Sequence, residues 1–272
     1  MAKIALAIFF ASYLIDKQGV LSDFGRGRLP SARVLGPIVL AWGASLVVMT
    51  AEKDLGSSLL FFTIFIAMLW VATAKTAYLG IGAGLFAFGS LAAYKIFSHV
   101  QERVQVWRNP WPDAAGKGYQ VIQGLFAIGT GGIAGTGLAL GSPQRIPAAT
   151  TDFIFAAIGE ELGLLGTVAV VAAFLLMVGA GLRIALRAER PFEQLLATGL
   201  TVIIGVQSFI IIGGVIRLIP LTGVTLPFVS YGGSSLVANY ILLALLLRIS
   251  DANAARSRDA SLIARPVREE AA

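Results

Sequence analysis

Asp152 stands at the entrance to an apolar stretch, in Thr150-Thr151-Asp152-Phe153-Ile154-Phe155-Ala156. An acid at the edge of a membrane domain is costly unless it is paired or put to use. Two uses are open. Thr or Asp before an apolar run can cap a helix, with Glu160-Glu161 suited to the start of the next one. A positioned carboxylate can also act as a general base. The same long polar segment supplies Arg103, Arg108, Lys117 and Arg145. Cations near a carboxylate hold it ionised, and they offer binding to a phosphate-bearing substrate.

Three further sets are weaker. Glu52-Lys53-Asp54 forms a turn between two apolar runs and reads as a surface charge cluster or as part of a site. Arg217 ends an apolar run, where snorkelling explains it without function. Ser230-Tyr231-Gly232-Gly233-Ser234-Ser235 interrupts the last run. It fits small-residue helix packing or a substrate-facing break equally well. The chain has no Cys and a single His, His99. That removes thiolate chemistry, disulfides, Cys- or His-rich metal sites and any triad needing a second His. No Gly-rich phosphate loop, metal signature or basic nucleic-acid patch is present, so no nucleic-acid partner is expected.

The elements that must position these residues are membrane helices. Of 272 residues, 57% are apolar and 13% charged, and the mean hydropathy is +0.81. An average soluble domain carries roughly 45–50% apolar and about 25% charged residues. Soluble globular enzymes and disordered tails are thereby excluded. Six near-charge-free runs are of spanning length: 35–51, 55–74, 77–94, 162–182, 195–216 and 226–247. A bilayer needs roughly 20 residues. A seventh run, 4–15, is shorter. A small-residue cleavage site would follow a signal peptide, but Asp16-Lys17-Gln18 comes next. An interfacial helix is the second reading, and a spanning helix lacking its start the preferred one.

The basic residues set the orientation. With the segment after residue 15 placed in the cytoplasm, 13 of the 21 Lys and Arg fall on that side, as the positive-inside rule requires. Segment 97–151 then lies outside, and the tail, 251–272, inside as a solvated, disordered end. Loops longer than about 15 residues are usually functional or disordered, and this one carries Trp107, Trp111 and Tyr119. Its stretch 121–141 is free of charge but holds seven Gly, which weakens a helix badly. A span there would also invert every later segment against the charge rule. A re-entrant or surface element packed on protein is expected instead.

At these residues the sequence resembles the SEDS family, the RodA/FtsW-type polytopic cell-wall proteins. Arg103-Val104, Asn109-Pro110-Trp111, Asp113 and Gly118-Tyr119-Gln120 resemble the family's R-V…N-P…D…G-Y-Q segment, followed by its glycine motif over 131–137. Thr151-Asp152-Phe153-Ile154-Phe155-Ala156 with Gly159-Glu160-Glu161-Leu162-Gly163 resembles T-D-F-I-F-A…E-E-L-G. Pro220-Leu221-Thr222-Gly223, Leu226-Pro227 and Ser230-Tyr231-Gly232-Gly233-Ser234 resemble P-x-T-G…L-P…S-Y-G-G-S, and Asp54-Leu55-Gly56 the D-L-G turn. The motifs cover nearly the whole chain.

The resemblance implies an all-α, ten-helix membrane bundle, with about seven helices present here. Residues 1–250 form the membrane domain. It implies a glycosyltransferase of the bacterial cytoplasmic membrane that polymerises lipid II, with a class B penicillin-binding protein and membrane lipids as partners. Thr222 leans toward the elongation-type branch. Departures exist: Ala148 follows Pro147 where the family has Pro-Glu, and Glu52-Lys53 precede the D-L-G turn instead of Gln-Pro. Lys3 resembles the Lys of a P-S-E-x-x-K segment opening the fourth helix, so three helices are expected to precede residue 1.

The family's essential acid matches Asp152. It would act as general base on the acceptor's 4-hydroxyl, which attacks the donor's anomeric carbon and expels lipid pyrophosphate. Such a leaving group needs charge stabilisation rather than an acid, so one carboxylate suffices, unlike glycosidases. Arg103 is assigned to the pyrophosphate, followed by Lys3 and Arg108. Gln120, Asp54, Ser230, Gly232, Gly233 and Ser234 are assigned to the substrate groove. A divalent cation could assist, although no dedicated site is written in the sequence. A precursor flippase or transporter, and an inert scaffold, are the competing classes.

Overall fold

The computed structural model describes residues 1–22, 43 and 55–263. The described residues are helical, with no strand among them. The helices are α1 (Ala2–Asp16), α2 (Gln18–Ser22), α3 (Leu55–Thr73), α4 (Ala77–Ile96), α5 (Ser98–Arg108), α6 (Tyr119–Gly131), α7 (Ile154–Arg187), α8 (Pro191–Val215) and α9 (Gly233–Ile263). Among them α3, α4, α7, α8 and α9 are long and apolar enough to cross a membrane. They answer five of the expected runs. Apart from residue 43, run 35–51 lies outside the described residues, as does the Glu52-Lys53-Asp54 turn.

Helix α8 is the hub, packed against α1, α3, α7 and α9. Most of α8 is buried, whereas α4 is almost wholly exposed. Small and hydroxyl residues explain this close approach. A Cβ on Gly199 would lie 2.7 Å from Met68 Sδ. The hydroxyls of Thr198, Thr201 and Ser208 turn back to the carbonyls of Gln194, Ala197 and Ile204, so burial leaves them satisfied. Helix α1 joins the same core through Ile4, Ala7, Phe10, Ala11 and Leu14. That spacing puts one face inward. The apolar residues left exposed on α4 and α7, Phe88 and Leu186 among them, are suited to lipid.

Helices α7, α8 and α9 alternate in direction. One end of the bundle gathers the starts of α7 and α9 and the finish of α8. The other end carries Arg183, Arg187, Arg190 and Arg256. There Arg256 grips Glu193 through both guanidinium nitrogens, tying α9 to the first turn of α8.

Several sequence expectations are refined. Helix α6 has 13 residues, about 20 Å at the helical rise, which is too short to span. It packs along α7, as expected for a protein-supported element. Helix α7 begins at Ile154, eight residues before the expected 162. Glu160 and Glu161 hide this first part from a hydropathy reading. The helix breaks at Gly163, whose φ of 65° belongs to the left-handed region. Backbone from the 132–137 loop fills the break: Leu164 and Leu165 donate to the carbonyls of Gly132 and Ile133. A side chain on Gly163 would meet the backbone of Gly135 and Ile133. The Ser230–Ser235 segment does not interrupt the last helix; α9 starts only at Gly233. The tail, expected to be disordered from 251 onward, is instead helical as far as Ile263, because its Ala- and Arg-rich sequence favours helix.

Candidate active site

The turn that presents Asp152 is built from 148–153. Thr151 and Phe153 both donate to the carbonyl of Ala148, at 3.1 and 3.2 Å, and Ala148 itself is left-handed at φ 57°. Phe153 is 1% exposed. Its ring fills the space left by Gly124 of α6, where a Cβ would lie 2.6 Å from the ring. The turn is thus pinned to α6 on one side. The capping reading of Asp152 is answered: Phe153, not Asp152, occupies the N-cap of α7, and no side chain caps it.

Opposite Asp152 stands Arg103 of α5. Its Nη1 donates to the Leu221 carbonyl at 2.9 Å, fixing the guanidinium against the loop that joins α8 to α9. The two charged groups face a common point. A Cβ on Gly223 would lie 3.7 Å from Asp152 Oδ2 and 3.8 Å from Arg103 Nη1. Gly223 has φ 80°, a conformation glycine adopts without steric cost.

These groups open into a cleft of about 420 Å³, lined among others by His99, Arg103, Lys117, Gln120, Asp152 and Arg217. Arg217, at φ 61°, forms its far wall. Its Nη2 donates to the Trp107 carbonyl at 2.7 Å, and Trp107 Nε1 donates to the Arg217 carbonyl at 2.9 Å. Gln120 Nε2 donates to the Pro147 carbonyl at 3.0 Å. Lys117 pairs with Glu102 at 2.7 Å, but both side chains are about half exposed, 59% and 47%. Such a pair contributes at most about 1 kcal/mol and yields readily to an anionic ligand. A second cleft of about 520 Å³ adjoins the first, sharing Glu102, Val106 and Lys117 and adding Arg108, Asn109 and Asp113.

Sequence reasoning placed Asp152, Arg103 and Gln120 in the site, and the fold brings the three together. Arg108 lies in the adjoining cleft. Lys3 is not among the residues that line either cleft. Its Nζ donates to Gln207 Oε1 at 2.7 Å and Asn239 Oδ1 at 2.8 Å, between α1, α8 and α9, and Gln207 in turn donates to the Thr225 carbonyl, two residues from Gly223. Ser230 is 2% exposed and bonded to backbone. Gly232, Gly233 and Ser234 surround the start of α9. Asp54 lies outside the described residues. Among the described residues no three His, Asp or Glu side chains form a metal-holding group.

Arg217, His99 and Gly223 are cleft residues that sequence reasoning did not assign. Snorkelling accounted for Arg217 only because its partner Trp107 is 110 residues away. Gly223 lies eight residues beyond the end of α8, and its only local signal was its place in the Pro220-Leu221-Thr222-Gly223 motif.

A polytopic helical bundle with a carboxylate and arginine facing one another in a polar cleft at one end is the class these observations define. The chain belongs to the cell cycle protein family of FtsW, RodA and SpoVE, whose family model matches residues 1–255. It is 51% identical over 253 residues to the peptidoglycan glycosyltransferase RodA of Mycobacterium tuberculosis (strain ATCC 25618 / H37Rv), covering 92% of this chain and 54% of that protein. It is 35% identical over 254 residues to the probable peptidoglycan glycosyltransferase FtsW of Geobacter sp. (strain M18), covering 92% and 67%. The chain therefore spans about half the length of the RodA relatives. Among solved structures, it is similar to a chain of a peptidoglycan synthase complex studied for the coordination of polymerization and crosslinking. The TM-score is 0.71 at 28% identity, over 92% of this chain and 68% of that one. A variant of the rod shape determining protein RodA of Thermus thermophilus shares the fold, with TM-score 0.56 at 23% identity, over 90% and 65%.

Proposed function

We propose that the protein acts in peptidoglycan synthesis as a glycosyltransferase that polymerises lipid II during cell-wall elongation. The observation that carries this reading is the convergence of Asp152 and Arg103 on Gly223 in a cationic cleft. Asp152 removes the proton of the acceptor's 4-hydroxyl, and the oxygen attacks the donor's anomeric carbon. The bond to the lipid pyrophosphate breaks, and Arg103, with Lys117 and Arg217 along the cleft, balances the charge left on it. Arg108 in the adjoining cleft adds a further cation for the pyrophosphate, and Gln120 shapes the groove that holds the sugars. Names shared by RodA and FtsW relatives support the reaction class, and the higher identity to RodA supports the elongation branch.

The protein is a multi-pass component of the bacterial cytoplasmic membrane in this reading. The cleft end faces outward and the arginine-rich end faces the cytoplasm, in line with the positive-inside rule. Residues 1–250 make the membrane domain, with 97–151 as its outer loop and 251–272 on the cytoplasmic side. A penicillin-binding protein that cross-links the product is the proposed partner. The test supplies labelled lipid II to the purified protein in proteoliposomes. New glycan chains support the assignment. Leaflet exchange of lipid II without chains assigns a flippase instead, and neither outcome leaves a scaffold.

A further inference from the structure

The Ser230-Tyr231 pair does not line the cleft, yet it is bonded to the two residues that precede Asp152. The Ser230 hydroxyl donates to the Thr151 carbonyl at 2.6 Å and accepts the Leu226 N–H at 2.8 Å. The Tyr231 N–H donates to the Thr150 carbonyl at 2.8 Å. Ser230 is 2% and Leu226 1% exposed. A hydroxyl has one proton to give, and here it is spent on Thr151, one peptide from the carboxylate-bearing residue. The backbone on the Ser230 side is shaped for this approach: Phe228 is left-handed at φ 64°, which costs roughly 1–2 kcal/mol for a non-glycine residue.

We infer that Ser230 is a positioning residue for Asp152: its hydroxyl fixes the 150–152 backbone, and so the carboxylate, from behind the cleft. The inference rests on Asp152 being the base of the proposed reaction. The residue touches no reacting atom. Its effect is geometric, and a displacement of about 1 Å at a reacting group can cost on the order of 100-fold in rate.

The test uses Ser230→Ala, Ser230→Cys and Ser230→Thr in the full chain. Two readouts are taken: lipid II polymerisation kinetics and amide hydrogen exchange at Leu226 and Tyr231. Ser230→Ala is expected to lower kcat by about 10–100-fold with KM within about twofold. Ser230→Cys, a weaker donor of similar size, falls between Ala and wild type, and Ser230→Thr restores most of kcat. Exchange at Tyr231 rises in the Ala variant and stays protected in the Thr variant. A kcat within twofold of wild type in both the Ala and Cys variants overturns the inference. So does a rise in KM alone, which would make Ser230 a substrate contact, or equal losses in Ala and Thr. A wild-type protein that makes no chains counts against the polymerase reading only. In that case unchanged Tyr231 protection in Ser230→Ala overturns the tie, and increased exchange upholds it.

Discussion

Trp107 and Arg217 exchange hydrogen bonds across 110 residues of sequence: the indole N–H donates to the Arg217 carbonyl, and the guanidinium donates to the Trp107 carbonyl. Each side chain satisfies the other's backbone, so the end of α5 is locked to the end of α8. The wall of the cleft is that lock. Trp107→Phe keeps an aromatic ring but loses the indole N–H and its one neutral bond, a cost of about 1 kcal/mol. Arg217→Ala removes charged donors to two carbonyls, Trp107 and Arg108, and costs about 1.5–3 kcal/mol. Thermal unfolding in detergent is expected to rank wild type above Trp107→Phe and Trp107→Phe above Arg217→Ala. The reverse order would mean that the bonds from Arg217 contribute little to the fold.

Gly223 is a point where backbone strain and chemistry coincide. At φ 80° an added methyl is penalised by roughly 1–2 kcal/mol, and it would project toward Asp152 and Arg103. Gly223→Ala is expected to lower polymerisation by more than its modest loss of thermal stability accounts for. A variant with normal rates and lowered stability alone would place the methyl outside the reacting geometry.

Arg103 and Arg145 separate a cleft cation from a surface one. Both come from the same long segment, but Arg145 ends a short 3₁₀ turn, Pro143–Arg145, and is exposed. Arg103→Ala is expected to weaken lipid II use about tenfold or more, a cost of at least about 1.4 kcal/mol. Arg145→Ala should stay within about twofold. Initial rates against lipid II concentration decide, and equal effects would remove Arg103 from pyrophosphate binding.

Much of this architecture was legible because membrane helices declare themselves by uninterrupted apolar length. Runs 55–74 and 195–216 fall close to α3 and α8. The misplaced boundary of α7 has a physical cause: Glu160 and Glu161 lie in a helical turn before the Gly163 break, and a hydropathy run cannot see across them. Asp152 was legible as an acid out of place. Arg217 was not, since what defines it is a reciprocal bond to Trp107 that no local pattern encodes. Ser230 was legible as part of a small-residue segment, but its tie to the Thr151 carbonyl is a backbone contact and leaves no signature in residue type. Lys3 was legible by its match to a motif, but its partners Gln207 and Asn239 lie 204 and 236 residues away and leave no local signal.

The most direct measurement compares wild type and Asp152→Asn for glycan-chain synthesis from labelled lipid II in proteoliposomes, at matched expression and thermal stability. The substitution keeps the shape of the side chain and removes its basicity. Loss of a general base costs about 10²–10⁴-fold. Chains are expected from the wild type and a rate at least about 100-fold lower from Asp152→Asn, with the protein still folded and inserted. Wild-type rates from a folded Asp152→Asn protein would contradict the assignment of Asp152 as the base.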